Sequence, residues 1–185
     1  MSEMLFEPAP LLGAFVVRLE ELNDERGFFA RTWCREEFLA RGLSGDFVQA
    51  SVSFNLRRGT LRGLHYQAPP DAEAKLVRCT RGRIHDVIVD LRRRSPTFRR
   101  TFATELSADN RHMLYIPEGF AHGFLTLEDH AEVAYQISAP YRPESARGFR
   151  YDDPAFAIDW PFTPLVIDAR DLSFAPFDEG VCEFY

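Results

Sequence analysis

Hydrophobic and polar residues alternate along short stretches of the chain, which is the pattern of half-buried β-strands. Glycine and proline mark turns between these stretches, at residues 24–27, 57–59 and 117–119. A short helix is predicted over residues 35–42, with Gly42 at its end. The predicted strands cover residues 14–19, 47–53, 75–79, 83–90, 101–106, 113–116, 121–127 and 132–137.

Long helical periodicity and internal repeats are both missing from the sequence. Many short strands without them indicate an all-β fold, a sandwich or jelly roll with a few short peripheral helices. With 185 residues and no linker, we expect one domain over residues 1–185. Residues 140–185 are rich in proline, aromatics and acids, and we expect them to wrap the outside.

Strand 83–90 contains a charged residue on an apolar face. Alternation places His85, Val87 and Val89 on one side and Ile84, Asp86, Ile88 and Asp90 on the other. An acid among isoleucines either ends a strand or has a polar partner in the interior. Asp86 is therefore expected to have such a partner unless the strand stops there.

Composition and charge exclude several classes of protein. Hydrophobic residues make up 45% of the chain, as in globular proteins, and the net charge of −6 argues against a nucleic-acid binder. The arginines crowded at 92–94 and 99–100 are expected in a solvated loop. No secretory signal or membrane-spanning run is present, so a cytoplasmic protein without a membrane partner is predicted. Cys34, Cys79 and Cys182 show no metal or disulfide spacing and are expected to be free thiols.

The candidate chemistry begins in residues 61–67, Leu-Arg-Gly-Leu-His-Tyr-Gln. In a regular strand the odd offset would put Arg62 and His65 on opposite faces, but Gly63 permits a bulge that resets the alternation. Histidine is the side chain best suited to moving protons near neutral pH. From these residues alone, a core histidine beside a surface arginine is an equally good interpretation.

Residues 117–122, Pro-Glu-Gly-Phe-Ala-His, resemble the second motif of the cupin superfamily, in which a turn delivers a histidine into a barrel. Metal-binding cupins add an earlier His-x-His and a glutamate. Here Tyr66 and Gln67 follow His65, so the second histidine is missing and no metal or other cofactor is expected.

The wider sequence resembles the dTDP-4-dehydrorhamnose 3,5-epimerase family, metal-free cupins of deoxysugar biosynthesis. The resemblance runs from about residue 24 to residue 171, in the blocks 24–29, 47–49, 61–67, 75–79, 95–98, 116–124, 159–161 and 169–171 with Tyr135 and Tyr141. It implies a cupin jelly roll and an epimerase of a nucleotide-diphospho-4-keto-6-deoxyhexose. The hydrogens on C3 and C5 of such a sugar are α to the C4 ketone. Inversion needs a base on one face, an acid on the other, and a donor at the ketone oxygen.

The resemblance also implies a role for each candidate residue. His65 is the base, Asp171 orients it, Tyr135 is the acid that returns the proton, and Lys75 stabilises the enolate oxygen. Arg62 and Arg170 match diphosphate-binding positions. The residues assigned to substrate binding are Gln49, His122 and Tyr141. His122 is also expected to form a polar pair with Asp86 inside the barrel. Arg26 and Phe29 are expected to reach the nucleotide of a neighbouring subunit, which predicts a homodimer with shared sites.

Without the family pattern, these residues have structural interpretations. Tyr135 is then a core tyrosine, Asp171 a surface acid in a loop, and Lys75 a solvated lysine at a strand end. Two positions also depart from the family: Arg31 where a glutamate is common, and Ser51 where an asparagine is usual. Arginine only donates hydrogen bonds, so a cytidine nucleotide is an alternative to thymidine.

Three rival functions remain open at this stage. The enzyme could invert C3 alone or C5 alone, because the outcome depends on how the sugar ring moves in the pocket. A non-catalytic cupin that binds a sugar nucleotide is a second possibility, although it would have no need of His65, Asp171 and Tyr135 together. A metal-dependent cupin oxygenase or isomerase is the third, and the missing His-x-His counts against it.

Overall fold

Two antiparallel β-sheets pack face to face in this structure, a computed structural model that describes residues 3–181 and 183–184. Its strands are β1 (Met4–Pro8), β2 (Phe15–Leu19), β3 (Leu22–Asp24), β4 (Gly27–Phe29), β5 (Gln49–Asn55), β6 (Thr60–Gln67), β7 (Lys75–Arg81), β8 (Arg83–Asp90), β9 (Thr101–Ser107), β10 (Met113–Ile116), β11 (Phe120–Thr126), β12 (Ala131–Ile137), β13 (Ala146–Gly148) and β14 (Val166–Ile167). The helices are α1 (Arg35–Leu39) and α2 (Ala169–Ser173), with a 3-10 turn at Glu179–Val181.

The first sheet has the order β1-β2-β10-β7-β12-β5, and the second has the order β13-β6-β11-β8-β9. β14 pairs with β6 in parallel, and β3 and β4 form a separate hairpin. The prediction of an all-β sandwich or jelly roll with short helices is confirmed. The predicted strands are all present with small shifts of their ends.

The predicted strand over residues 14–19 is present as β2, but the prediction that it is the first strand of the fold is wrong. β1 precedes it and pairs antiparallel with β2, with Phe6 opposite Val17. This edge strand was missed because its residues are mostly exposed, so it lacks a clear alternation, and Pro8 and Pro10 read as loop. The helix is also shorter than predicted: it ends at Leu39, and a turn leads to Gly42 in the left-handed region at φ +70°.

The main core lies between the two sheets. It contains buried apolar residues from both of them, among them Val77 and Val133 of the first sheet and Ile84, Ile88 and Phe124 of the second. The predicted faces of residues 83–90 are therefore confirmed. Two smaller apolar clusters cover the outer faces, one around Phe38 of α1 and one around Phe156 and Phe184.

Residues 140–181 and 183–184 cover the outer face of the second sheet, in agreement with the prediction. β13 and β14 also extend that sheet by pairing with β6, and Phe156 and Phe184 are buried against it. Buried aromatic area of this kind is a major stabilising term, so the segment contributes to the stability of the fold. It also carries α2, which lies against β6.

The arginines at 93–94 and 99–100 are exposed in the loop after β8, as predicted, and Arg92 is the exception. Arg92 is not simply solvated: its guanidinium binds the fully buried Asp90 at 2.8 Å and the Leu12 carbonyl at 2.6 Å. Ser95 and Thr97 donate to the same carboxylate at 2.6 Å. The group ties the loop after β8 to the chain before β2, because a buried carboxylate needs this many donors.

Cys34 and Cys79 are free thiols, as predicted, and Cys182 lies outside the described residues. No helix in the described part of the chain is long and apolar enough to cross a membrane.

Candidate active site

Strand β6 places two of the candidate residues on one side through a bulge at Gly63. Opposite β11, His65 pairs with His122 and Arg62 pairs with Phe124, so β6 carries one residue more than its partner between these points. Gly63 lies at φ +126°, and a Cβ there would meet the Gly123 Cα at 2.5 Å. Glycine is therefore required, and the extra residue lets Arg62 and His65 face the same space.

That space is a cavity of about 350 Å³ between the sheets. The candidate residues on its walls are Gln49, Arg62, His65, Lys75, His122, Tyr135, Tyr141 and Arg170. They come from β5, β7 and β12 of the first sheet, from β6 and β11 of the second, and from the tail. The volume is in the range of pockets that hold small-molecule ligands.

The partly exposed His65 and the buried Asp171 form a dyad. The His65 Nε2 lies 2.7 Å from Asp171 Oδ1, and the Gly63 N–H donates to Asp171 Oδ2 at 3.0 Å. Asp171 is delivered by α2, whose first turn is capped by the Asp168 side chain accepting from the Arg170 N–H. Asp171 itself does not line the cavity, whereas the His65 side chain is 41% exposed to it.

The carboxylate of this dyad is ionised. Burial by itself would raise the pKa of Asp171, but the hydrogen bonds from His65 and the Gly63 N–H outweigh it and hold the pKa below its usual value. An ionised carboxylate only accepts hydrogen bonds, so Nε2 of His65 carries a proton and the lone pair is on Nδ1. The arrangement suits a base at the cavity wall.

Tyr135 lies on β12, across the cavity from β6. Burial raises its pKa well above the usual value, with the Asp86 carboxylate as a secondary cause, so the phenol keeps its proton at neutral pH. Its ring meets the His122 ring edge-on at 6.2 Å between centroids. Because His65 and Tyr135 belong to facing sheets, a molecule between them would meet a base and an acid from opposite sides.

His122 and Asp86 form an interior polar pair, as the resemblance implied. The His122 Nε2 lies 2.9 Å from Asp86 Oδ1, and Asp86 is fully buried. The second carboxylate oxygen, Oδ2, has no hydrogen-bond partner within the described residues.

The cavity also contains several cations. Lys75, at the start of β7, pairs with Glu73 at 2.8 Å. The Arg62 Nε donates to the buried Asn55 side chain at 2.8 Å, and Arg147 and Arg170 complete the set. Guanidinium groups match the geometry of phosphate oxygens, so this wall favours an anionic ligand.

Sequence reasoning missed Glu73, Asn55 and Arg147. Glu73 lies in the loop before β7, so strand alternation gave no signal for it. Asn55 and Arg62 are seven positions apart, on either side of the predicted turn at 57–59, so that turn was a local signal for their contact. No group of three or more His, Cys, Asp or Glu side chains within residues 3–181 and 183–184 is arranged to hold a metal ion.

Arg26 and Phe29 are not brought into the cavity. Both lie on the β3–β4 hairpin, where Arg26 binds Asp24 and Phe29 is 71% exposed. Arg31 also lies elsewhere: its guanidinium donates to Glu37 at 2.7 Å. Of the two positions that depart from the family pattern, only Ser51 lines the cavity.

Comparisons with known proteins show the family of the chain. A family model described as dTDP-4-dehydrorhamnose 3,5-epimerase matches residues 8–179. The enzyme of that name from Methanothermobacter thermautotrophicus is 42% identical, with 97% of this chain and 98% of its own covered. The crystal structure from Elizabethkingia anophelis superposes with a TM-score of 0.91 at 37% identity, covering 94% of this chain and 96% of that one. A dTDP-6-deoxy-D-glucose-3,5-epimerase from Legionella pneumophila, in complex with dTDP-4-keto-L-rhamnose, gives 0.90 at 34% identity and covers 99% of each chain.

Proposed function

Since the chain belongs to the dTDP-4-dehydrorhamnose 3,5-epimerase family, we propose that His65 and Tyr135 carry the proton transfers by which it inverts a dTDP-4-keto-6-deoxyhexose. The protein is an epimerase of nucleotide-linked 4-keto-6-deoxy sugars. The observation that supports the assignment is the placement of the His65–Asp171 dyad and Tyr135 on facing sheets of one cavity.

The reaction begins with loss of a hydrogen next to the ketone. Nδ1 of His65 takes the proton from C3, and the electron pair of the C–H bond moves to the C4 oxygen as an enolate. The Lys75 ammonium stabilises that oxygen, and Asp171 stabilises the imidazolium. Tyr135 then gives its proton to the opposite face of C3, and solvent restores both groups. The same sequence at C5 completes the second inversion.

The nucleotide end of the substrate is held by the cationic wall. Arg62 and Arg170 bind the diphosphate, while Gln49, Tyr141 and His122 contact the rest of the substrate. Support comes from their shared position on the cavity wall and from the hydrogen bond by which Asn55 aims the Arg62 guanidinium. Bidentate donors fix the orientation of a diphosphate as well as its charge.

The test is solvent exchange followed by proton NMR. Wild-type enzyme and dTDP-4-keto-6-deoxyglucose in deuterated water should give a product labelled at C3 and C5. Replacing His65→Ala should lower the rate by about two to four orders of magnitude, the usual worth of a positioned general base. Label at C3 or C5 alone would indicate the narrower epimerase. Tight binding of the nucleotide sugar without any label would instead indicate a non-catalytic binding protein.

The nucleotide base is tested separately. Arg31 is engaged by Glu37, and the relatives are named for dTDP sugars, so we expect dTDP to bind more tightly than CDP. Calorimetric titration of the protein with each nucleotide measures the preference. Tighter binding of CDP than of dTDP would support the cytidine alternative.

We also propose a homodimer with shared sites, which the exposure of the β3–β4 hairpin supports. Arg26 and Phe29 would reach the nucleotide in the partner's cavity, where an aromatic ring can stack on the base. Two inactive variants, His65→Ala and the double change Arg26→Ala with Phe29→Ala, should complement each other when their subunits are mixed. About a quarter of wild-type activity is expected, because roughly half of random dimers are hybrids with one complete site each. Mixtures that stay inactive would contradict site sharing.

The cytoplasmic assignment is supported by the free thiols of Cys34 and Cys79. Fractionation of cells that express the chain, with immunodetection, tests it.

A further inference from the structure

Glu73 is the only acidic residue among the described residues that line the cavity. Its side chain is 10% exposed, and its Oε1 lies 2.8 Å from the Lys75 Nζ, whose side chain is 11% exposed. The other charged groups on the wall, Arg62, Arg147 and Arg170, are cations. A carboxylate here repels the diphosphate of the substrate, so its presence requires another benefit.

The loop that carries Glu73 is held on both sides. Before it, the Gln67 side chain donates to the Asp71 carbonyl at 3.0 Å, and Ser145 donates to the Asp71 carboxylate at 2.6 Å. After it, the Ala74 N–H donates to the Ser138 hydroxyl at 2.8 Å, and the Ser138 N–H returns a bond to the Ala74 carbonyl. The backbone around Glu73 is therefore anchored at Asp71, two residues before it, and at Ala74, one residue after it.

The fixed Glu73 carboxylate limits the motion of the flexible Lys75 side chain. The lysine side chain has four rotatable bonds and a freely turning ammonium, so alone it would sample many positions in the cavity. It could also swing toward the diphosphate, where attraction is strongest. An ion pair with little exposure to water limits both motions, because screening by solvent is weak there.

We propose that Glu73 is a positioning residue that holds the Lys75 ammonium where the enolate oxygen forms, away from the diphosphate. The inference rests on the proposed function and deepens it. Glu73 acts through Lys75 and does not itself contact the substrate.

The first test is Glu73→Gln, which keeps the shape of the side chain and removes its charge. With Lys75 no longer held, kcat should fall by about tenfold to a hundredfold, the usual effect of misplacing a group by an ångström. KM should stay the same or fall, because a charge that repels the substrate is gone. Glu73→Asp keeps the charge but shortens the reach by one methylene, and should give an intermediate kcat.

The second test is a double-mutant cycle with Lys75→Met. If Glu73 acts through Lys75, adding Glu73→Gln to the Lys75→Met enzyme should not lower kcat further. Glu105→Gln is the matched control: it removes one carboxylate from a surface ion pair with Arg83, and should leave kcat and KM unchanged. Thermal unfolding of each variant checks that the fold is retained.

Each result has a defined meaning. An unchanged kcat in Glu73→Gln, with an active wild type, overturns the positioning role and leaves the epimerase assignment intact. A raised KM with normal kcat would mean that Glu73 binds the substrate directly. Additive losses in the cycle would mean that it acts independently of Lys75. Absence of turnover in the wild type would instead refute the proposed function.

Discussion

The substitution Asp171→Asn tests how the dyad sets the state of the base. In the wild type, Oδ1 faces the His65 Nε2 at 2.7 Å and Oδ2 accepts from the Gly63 N–H at 3.0 Å. The Gly63 N–H can only donate, so the oxygen of the new amide must take that position. The amide NH₂ then faces Nε2, and it too can only donate.

The imidazole has to adjust its protonation to this donor. Nε2 must accept, so the ring proton moves to Nδ1 and the lone pair at the cavity is lost. The same exchange in a Ser-His-Asp triad fixes the wrong tautomer and lowers kcat by about 10⁴. We expect a fall of about three to four orders of magnitude here, with KM changed much less because Asp171 does not line the cavity.

The assay is turnover of dTDP-4-keto-6-deoxyglucose followed by NMR, with the unfolding midpoint measured in parallel. Asp152→Asn is a suitable control, because it removes a carboxylate from a surface pair with Arg150, which is worth little. A folded Asp171→Asn enzyme whose kcat stays within threefold of the wild type would refute the tautomer argument.

Three further predictions concern stability and binding. Asp90→Asn leaves Arg92 without its buried partner and should lower the free energy of unfolding by about 3 kcal/mol. Burial would raise the pKa of Asp90, but the bonds from Arg92 and its neighbours hold it below the usual value. The difference in free energy of unfolding between the wild type and Asp90→Asn, measured by urea unfolding, should therefore be largest at neutral pH and decrease below about pH 4. A difference that does not change with pH would contradict this. Gly63→Ala puts a Cβ 2.5 Å from the Gly123 Cα. It should lower the free energy of unfolding by about 1–3 kcal/mol or more and remove most of kcat. An unfolding midpoint equal to that of the wild type would show that the bulge tolerates the added methyl group. Arg62→Lys keeps the charge but loses the fork and should raise KM about tenfold, a change that steady-state kinetics would detect and that an unchanged KM would rule out.

Much of the fold was predictable because strands reveal themselves through alternation and turns. The strand at 83–90 shows this: its two faces followed from periodicity alone, which left Asp86 with either an interior partner or a place at the strand end. β1 did not, because an exposed edge strand next to prolines has no such pattern. The burial of Phe156 and Phe184 in the tail was not predicted, because it depends on contacts with β6 that no local sequence specifies.

The candidate site also contains features that the local sequence predicted and features that it did not. The bulge at Gly63 could be anticipated from a glycine between two polar positions, and the structure has it. That Asp171 reaches His65 across 106 positions of the chain depends on the docking of α2, and came only through the resemblance to a family. Asn55 was not found, although it lies only seven positions before Arg62, across the predicted turn at 57–59.

The most direct measurement separates removal of the proton from its return. Tyr135→Phe should leave His65 able to take the hydrogen from C3 and give it back on the same face. In deuterated water, recovered substrate should gain deuterium without inversion, while product formation falls by about two to four orders of magnitude. Deuterium entry and inversion lost together, or inversion at the wild-type rate without the phenol, would contradict the assignment of base and acid to the two facing sheets.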